Sequence, residues 1–375
     1  MDRHEKMKLL ARAAQYDLCG SACGTHASRV RDDVGRWLYP AVLPDGKRVT
    51  LLKVLLSNAC ENDCVYCANR RSRGGPRDGF QPEELASLFD TLVRGGIAQG
   101  LFLSSAVCRS TAHTMDRMIA TVERVRFKYQ YRGYVHLKLL PGCEKAAVER
   151  AVEIADRVSV NLEAPNAMRL ERLSREKALE HDLLLPIKWA TQFRRRGLGA
   201  RTGVTTQFVV GAAGESDSEI LGTVDRLYRE LGLTRAYFSA FQPIARTPLE
   251  NLAPAPPLRE HRLYQSDYLL RYYGFALSDL IFGRDGRLSM DVDPKMAWAR
   301  AHPERFPIEV NRASSRQLLR VPGIGPRSAK RILRMRRQAK LRNIRDLRAS
   351  GAVASRAAGF VLLDGRRPPR QLALW

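Results

Sequence analysis

Between residues 49 and 241 strand-like and helix-like segments alternate, and this alternation restricts the fold more tightly than anything else in the chain. Apolar runs rich in Leu and β-branched residues occur at 50–57, 101–105, 134–139, 157–162, 204–210 and 235–241. Between them the apolar residues take helical spacing, at 82–94, 113–129, 144–155, 183–196 and 215–230, the first opening on Pro82. Six strands separated by helices predict an α/β fold with a parallel sheet and helices outside. Right-handed crossovers would curl that sheet into a partial, TIM-like (βα)6 barrel. In such a barrel the chemistry gathers at the C-terminal ends of the strands.

The first strand empties into a cysteine loop at one of those ends. Cys60-Glu61-Asn62-Asp63-Cys64-Val65-Tyr66-Cys67 follows the run 50–57 and has the spacing C-x₃-C-x₂-C. Thiolates are soft ligands that select zinc or iron–sulfur clusters. A structural zinc needs a fourth protein ligand, and a closed iron–sulfur cube a fourth cysteine. The loop holds no further Cys or His, so Cys60, Cys64 and Cys67 would leave one iron of a cluster open to a small molecule. A surface zinc loop, or thiols with no metal, is the competing reading. The seven cysteines, at 19, 23, 60, 64, 67, 108 and 143, form no disulfide framework. Cys19 and Cys23 repeat the C-x₃-C spacing, but two thiols without partners read as ordinary small residues.

The loop, set after the first strand of a βα series, resembles that of the radical S-adenosylmethionine (SAM) superfamily. The resemblance implies a [4Fe–4S] cluster on Cys60, Cys64 and Cys67 whose open iron chelates the amino and carboxylate groups of SAM. It also implies reductive cleavage of SAM to methionine and a 5′-deoxyadenosyl radical, fed by an electron donor such as flavodoxin or ferredoxin. Cofactor contacts carried over from the family fall on Tyr66, on Ser104 and Ser105 after the second strand, on Asn161 and Glu163 along the fourth, and on Gly211 in the turn after the fifth. Ser104-Ser105 departs from the family pattern, which commonly has Gly-Gly-Glu there to meet the methionyl amino group. Hydroxyls and backbone carbonyls can still accept from an ammonium. Asn161 and Glu163 alternate with Val160 and Leu162 and so share one side of the strand. Cys108 and Cys143, just past strands two and three, are candidate hydrogen-atom donors to a substrate radical. Free cysteines, however, commonly pack as small hydrophobes.

Charge points to a partner. The chain has 63 Lys and Arg against 39 Asp and Glu, a formal +24, which favours nucleic acid. Residues 311–375 alone carry 17 basic and two acidic residues, so the excess is local and not a uniform compositional bias. Inside this region, 315–333 resembles a helix-hairpin-helix, with Pro322-Gly323-Ile324-Gly325-Pro326 between two short helical runs. Gly323 and Gly325 permit tight turning and bare N–H groups suited to a phosphate oxygen, and Ile324 would pin the hairpin. Arg327, Ser328, Lys330 and Arg331 can add phosphate contacts without reading bases. A protein-binding hairpin is the rival reading; the charge favours nucleic acid, DNA ahead of RNA.

Four regions follow: a lead-in at 1–48, the barrel at 49–250, a Pro-rich linker and helical connector at 251–310, and a small all-α basic domain at 311–375. In the connector Tyr264, Tyr268 and Tyr272 fall on one helix face, a stripe that packs against a neighbour more often than it stacks on bases. The whole combination resembles the DNA modification/repair radical SAM proteins with a C-terminal helix-hairpin-helix. That resemblance runs through 60–71, 100–105, 159–165, 237–249 and 306–332, and it implies modification or repair of DNA. A DNA-binding protein with a structural iron–sulfur cluster, or a radical enzyme acting on RNA, are the alternatives. A charged N-terminus followed by no long apolar run predicts a cytoplasmic protein with no membrane segment.

Overall fold

The computed structural model describes residues 2–14, 38–42 and 48–368; Cys19 and Cys23 lie outside them. The chain forms two compact units, Met1–Glu215 with Arg226–Pro256, and Ser216–Asp225 with Pro257–Trp375.

The first unit begins with α1 (Arg3–Ala14) and is built on a seven-stranded sheet in sequential order. Its strands are β1 (Leu38–Val42), β2 (Arg48–Leu55), β3 (Gly100–Ser104), β4 (Tyr134–Lys138), β5 (Arg157–Ser159), β6 (Gly203–Val210) and β7 (Arg235–Ala240). From β2 to β7 every pairing is parallel, and β1 lies antiparallel on β2. Between the strands run α2 (Pro82–Arg94), α3 (Thr111–Glu123), α4 (Lys145–Ile154), α5 (Ala167–Glu171), α6 (Leu185–Arg195) and α7 (Asp217–Arg226), most of the last grouping with the second unit. The sheet curls into a half-barrel. All of β3 is buried, as parallel strands covered on both faces require. α2 shows how locally the helices are specified. Pro82 opens it, the Glu84 carboxylate accepts from the Gln81 N–H at 3.2 Å, and Leu85, Ala86 and Phe89 bury one face.

The strand and helix series follows the sequence pattern, with differences at its ends. β1 falls inside the lead-in, where no strand is expected; Pro40 disguises it, and an edge strand paired on one side tolerates that residue. The fourth strand is three residues long and not six, because the chain leaves the ladder after Ser159. It rejoins at Glu163, whose N–H donates to Gln207 O at 3.0 Å and whose carbonyl accepts from Val209 N at 2.8 Å. The runs 113–129 and 215–230 each finish in a π-turn, Arg124–Lys128 and Leu227–Leu231.

The second unit continues with α8 (Pro257–Tyr272), α9 (Pro294–Ala301), β8 (Ile308–Glu309), α10 (Ser315–Arg320), α11 (Pro326–Met335), α12 (Ile344–Ala349), α13 (Ala354–Ala357) and β9 (Val361–Leu362). The C-terminal region is helical, but it is not all-α. β8 and β9 form a short parallel pair, extended by Val310 N donating to Leu362 O at 3.0 Å, which brings the chain end back onto its start. Leu318, Val321, Ile324, Ile332, Leu347 and Val361 belong to its core. The connector residues from 257 on group with this region in one unit. Asp217 on α7 fastens to them through Arg259 at 2.7 Å and the Leu288 N–H at 2.8 Å. Among the described residues no helix is long and apolar enough to cross a membrane.

Candidate functional site

The loop after β2 is held in shape by its own polar side chains. Arg77 donates to four carbonyls, those of Asn58, Asn69, Arg70 and Arg73, at 2.5 to 3.1 Å. Asp63 accepts both nitrogens of the Arg70 fork at 2.8 and 2.6 Å, and the Ser72 N–H and hydroxyl at 3.0 and 2.8 Å. The charged hydrogen bond from Arg70 holds the Asp63 carboxyl well below the usual carboxylate range. The segment after α5 closes the other side, with Glu176 accepting from Asp63 N at 2.6 Å and Leu173 O from Val65 N at 2.9 Å.

This frame places Cys60, Cys64 and Cys67 close enough to influence one another's charge. Backbone N–H groups of Asn62 and Val107 donate to Cys60, Asn69 N lies 3.4 Å from Cys67 Sγ, and Cys64 Sγ lies 3.3 Å from Ser174 Oγ. Burial pushes the Cys67 thiol up to about 12, with negative charge on Cys64 adding to it. Thiols that are costly to ionise in isolation are those a metal's positive charge relieves. Among the described residues no three His, Cys, Asp or Glu side chains converge to hold a single ion. In chemistry, three soft thiol donors on one loop are the kind of donor set that a [4Fe–4S] group takes.

Lys177, absent from the sequence reading, faces these sulfurs. Burial works against its ammonium, but negative charge on Cys64, Glu163 and Cys67 outweighs burial and raises its pKa. It lies 3.7 Å from Glu163, with both side chains more than nine-tenths buried. Glu163 sits at φ +64°, a left-handed backbone that is rare for a residue with a side chain. It accepts a hydrogen bond from Tyr66, whose pKa is pushed up by burial and then by the Glu163 charge. The Tyr66 ring packs on Ala240, Phe241 and Ala255 together with Val209 and Ala212, which ties the cysteine loop to the ends of β6 and β7. Cys60, Cys64, Cys67 and Glu163, all singled out in the sequence, therefore meet one residue that was missed. No motif marks Lys177; only the return of 173–177 to the loop reveals it.

The other predicted cofactor residues divide. Gly211, at φ +96°, donates its N–H to Glu215, which also accepts from Ala213 N at 3.1 Å. Glu215 thus clasps its own turn from beneath, and α7 starts two residues later at Asp217. Asn161 is half-buried. Ser105 is tied into the strand ends, its hydroxyl accepting from Ser57 N at 3.2 Å and donating to Ala106 O at 2.7 Å; Ser104 is buried in β3. Cys108 is half-buried, whereas Cys143 is buried and its thiol is pushed by burial to about 12.

In the second unit the hairpin has the expected form. Ser314 caps α10 by accepting from Gln317 N at 3.2 Å, and Gly325 precedes Pro326 at the start of α11. Gly323, at φ +84°, is a close approach: a Cβ there would lie 2.5 Å from Val353 O. Ile324 is buried in the core. Arg327, Lys330 and Arg331 are exposed, while the Ser328 side chain is buried, leaving its first-turn N–H as the group able to face a phosphate. Under the hairpin, Lys295 donates to Ile324 O. Burial, with Arg356 and Arg320 adding to it, brings Lys295 down from 10.5 to about 7. Between those values the unfolded chain holds a proton that the folded one has released. The second unit should therefore gain stability as pH rises from about 7 towards 10.5, and none below, where both states are protonated. Urea unfolding of Lys295→Met should show this slope flattened; a slope equal to the parent's would refute the assignment.

Two family models match the chain. The radical SAM superfamily model matches residues 54–227, and a helix-hairpin-helix motif matches 305–351. Threonylcarbamoyladenosine tRNA methylthiotransferase MtaB of Thermotoga maritima is 21% identical over 238 residues, 61% of this chain and 52% of that protein. The chain thus spans about half the length of that curated relative. Methylornithine synthase (PylB) matches with a TM-score of 0.47 at 16% identity, covering 65% of this chain and 66% of that one. The FeFe-hydrogenase maturase HydG of Carboxydothermus hydrogenoformans matches with a TM-score of 0.46 at 13% identity, covering 58% and 50%. With three thiols framed at the mouth of a half-barrel and a glycine hairpin in its basic C-terminal region, this chain carries a radical SAM domain and a C-terminal helix-hairpin-helix domain.

Proposed function

We propose that the chain is a radical SAM enzyme acting on nucleic acid held by its hairpin, DNA ahead of RNA. The observation that carries this reading is the presence in one chain of a hydrogen-bonded three-cysteine loop and an exposed basic hairpin. When bound, a [4Fe–4S] cluster on Cys60, Cys64 and Cys67 supplies, with SAM, a 5′-deoxyadenosyl radical. Arg77 and the Asp63–Arg70 pair hold the thiols in place, and Lys177 offsets the negative charge gathered there. Tyr66 and Glu163 offer polar atoms at a buried wall, and the turn at Gly211 offers backbone. On the other unit, Arg327, Lys330, Arg331 and the first-turn N–H groups of α11 bind phosphate oxygen and do not read sequence. A damaged or unpaired nucleotide is the favoured substrate, because taking it out of the stack costs least. A flavodoxin- or ferredoxin-class electron donor and a cytoplasmic location belong to the same reading.

The relative that acts on tRNA supports RNA as the second reading. One experiment separates the possibilities. Anaerobically reconstituted protein is given duplex DNA, mismatched DNA or RNA, and both binding across a salt series and 5′-deoxyadenosine formation are followed. DNA should bind and stimulate most. Replacing Lys330 and Arg331 with Ala should weaken binding and lower the log–log salt slope by about 0.9 for each phosphate no longer neutralised, with iron content unchanged. Equal binding by the variant would remove the hairpin from the mechanism. Binding with no 5′-deoxyadenosine under any condition would favour a structural cluster, and stimulation by RNA alone would favour the second reading.

A further inference from the structure

We propose that Tyr268 and Tyr272, on α8, form a stacking platform for an unpaired base of the nucleic acid that the hairpin holds. The proposal rests on the nucleic-acid reading above and adds to it a site and a substrate feature, a base out of the helical stack. Of the tyrosine stripe, Tyr264 is buried and accounts for the packing that such a stripe usually serves. Tyr268 and Tyr272 do not share it; they are 44% and 53% exposed.

The two rings form an assembled surface. Their centroids are 5.3 Å apart. The Arg271 guanidinium lies 4.6 Å from the Tyr272 ring centre and 5.3 Å from that of Tyr268. Arg271 also donates to the Tyr272 hydroxyl at 2.7 Å and pairs with the fully buried Asp267, so its position is set from below. Two exposed rings, tilted by 54° to one another, with a guanidinium against both, suit a flat, polarisable partner that carries negative charge nearby. A nucleobase on its phosphate backbone meets both requirements, and stacking accepts any base because each has a π face.

The platform also adjoins the phosphate-binding hairpin within the same unit. Tyr273 directly follows α8, and its hydroxyl lies 3.1 Å from where a Cβ on Gly325 would sit. From α10, Arg320 donates to Gly274 O at 3.2 Å and stacks 3.8 Å over Phe275. The end of α8 is thereby fastened to α10 and packed close to the glycine turn. A backbone held at Gly323 and Gly325 would bring its neighbouring bases to these rings.

The test uses the full chain and two labelled DNA probes, a perfect duplex and the same duplex with one bulged nucleotide, read by fluorescence anisotropy. The parent should prefer the bulged probe. Replacing Tyr268 and Tyr272 together with Ala should weaken bulge binding by about tenfold or more and leave duplex binding unchanged. Exchanging both for Phe should keep the preference, since the ring and not the hydroxyl carries it. Should the double variant fold poorly, Tyr272→Ala alone serves for the same comparison. An Ala variant that keeps the parent's preference overturns the platform. A parent that binds both probes equally, with Ala changing neither, overturns the platform while the hairpin reading stands. A parent that binds neither probe overturns both.

Discussion

Replacing Cys60, Cys64 and Cys67 with Ala is expected to abolish iron binding and 5′-deoxyadenosine formation together, while the chain still folds. The first half follows from the donor set: thiolate is the soft ligand that iron–sulfur clusters require, and each Ala removes one iron's only protein bond. The second half follows from where the loop's cohesion resides. Arg77, Arg70 and Asp63 hold the carbonyls and amides, and none of their bonds needs a cysteine sulfur. Cys64 is buried and Cys67 half-buried, and both side chains are small, so truncation should cost about 1 kcal/mol each. Iron counting and Mössbauer spectra on anaerobically reconstituted protein, with a thermal melt alongside, would measure both halves. Full cluster content in the triple variant would refute the assignment. A variant that does not fold would show that the thiols themselves hold the loop.

The next largest effect should come from Lys177→Met. Deleting one partner of a buried ion pair leaves the other charge uncompensated, which typically costs about 3–5 kcal/mol. Glu163 keeps its hydrogen bond from Tyr66, and the pair stands at 3.7 Å, so the lower end of that range is expected. The change should lower the urea midpoint of the first unit and reduce iron retained after reconstitution, because the thiolates lose a counter-charge. Combining it with Glu163→Gln should restore much of the stability without restoring iron retention. That split distinguishes a charge partner from a merely packed side chain. A single variant as stable as the parent would show that the pair is not coupled.

The barrel was legible because its signal is periodic: six apolar runs separated by helical spacing leave little choice of topology. The cysteine loop stood out because three cysteines in eight residues have few structural explanations. What stayed hidden depends on chain return. Lys177 lies 110 residues from Cys67 and belongs to no motif, and it reaches the sulfurs only because 173–177 folds back along the loop. Asp63, Arg70 and Arg77 look like ordinary surface charge in the sequence, yet they hold the loop together. Equally hidden was that Ser105 bonds within the strand ends and that the Ser328 side chain is buried. Glu215 opens the helical run 215–230 in the sequence, and its carboxylate fills the bare amides of the preceding turn. The two-residue pair β8–β9 is too short to leave any alternation in sequence.

The single guanidinium of Arg77, shared among four carbonyls, has a consequence for how a metallocentre is inherited and lost. In small zinc domains the ligands are brought together by the metal, so binding energy is consumed in folding and chelation unfolds the chain. Here the cysteine loop is held chiefly by hydrogen bonds between nitrogen and oxygen. Most of the free energy of binding a cluster there would then be left over as affinity. Oxidative loss of iron would leave a scaffold ready to be reloaded, and repair of such a centre would be a matter of delivery and not of refolding.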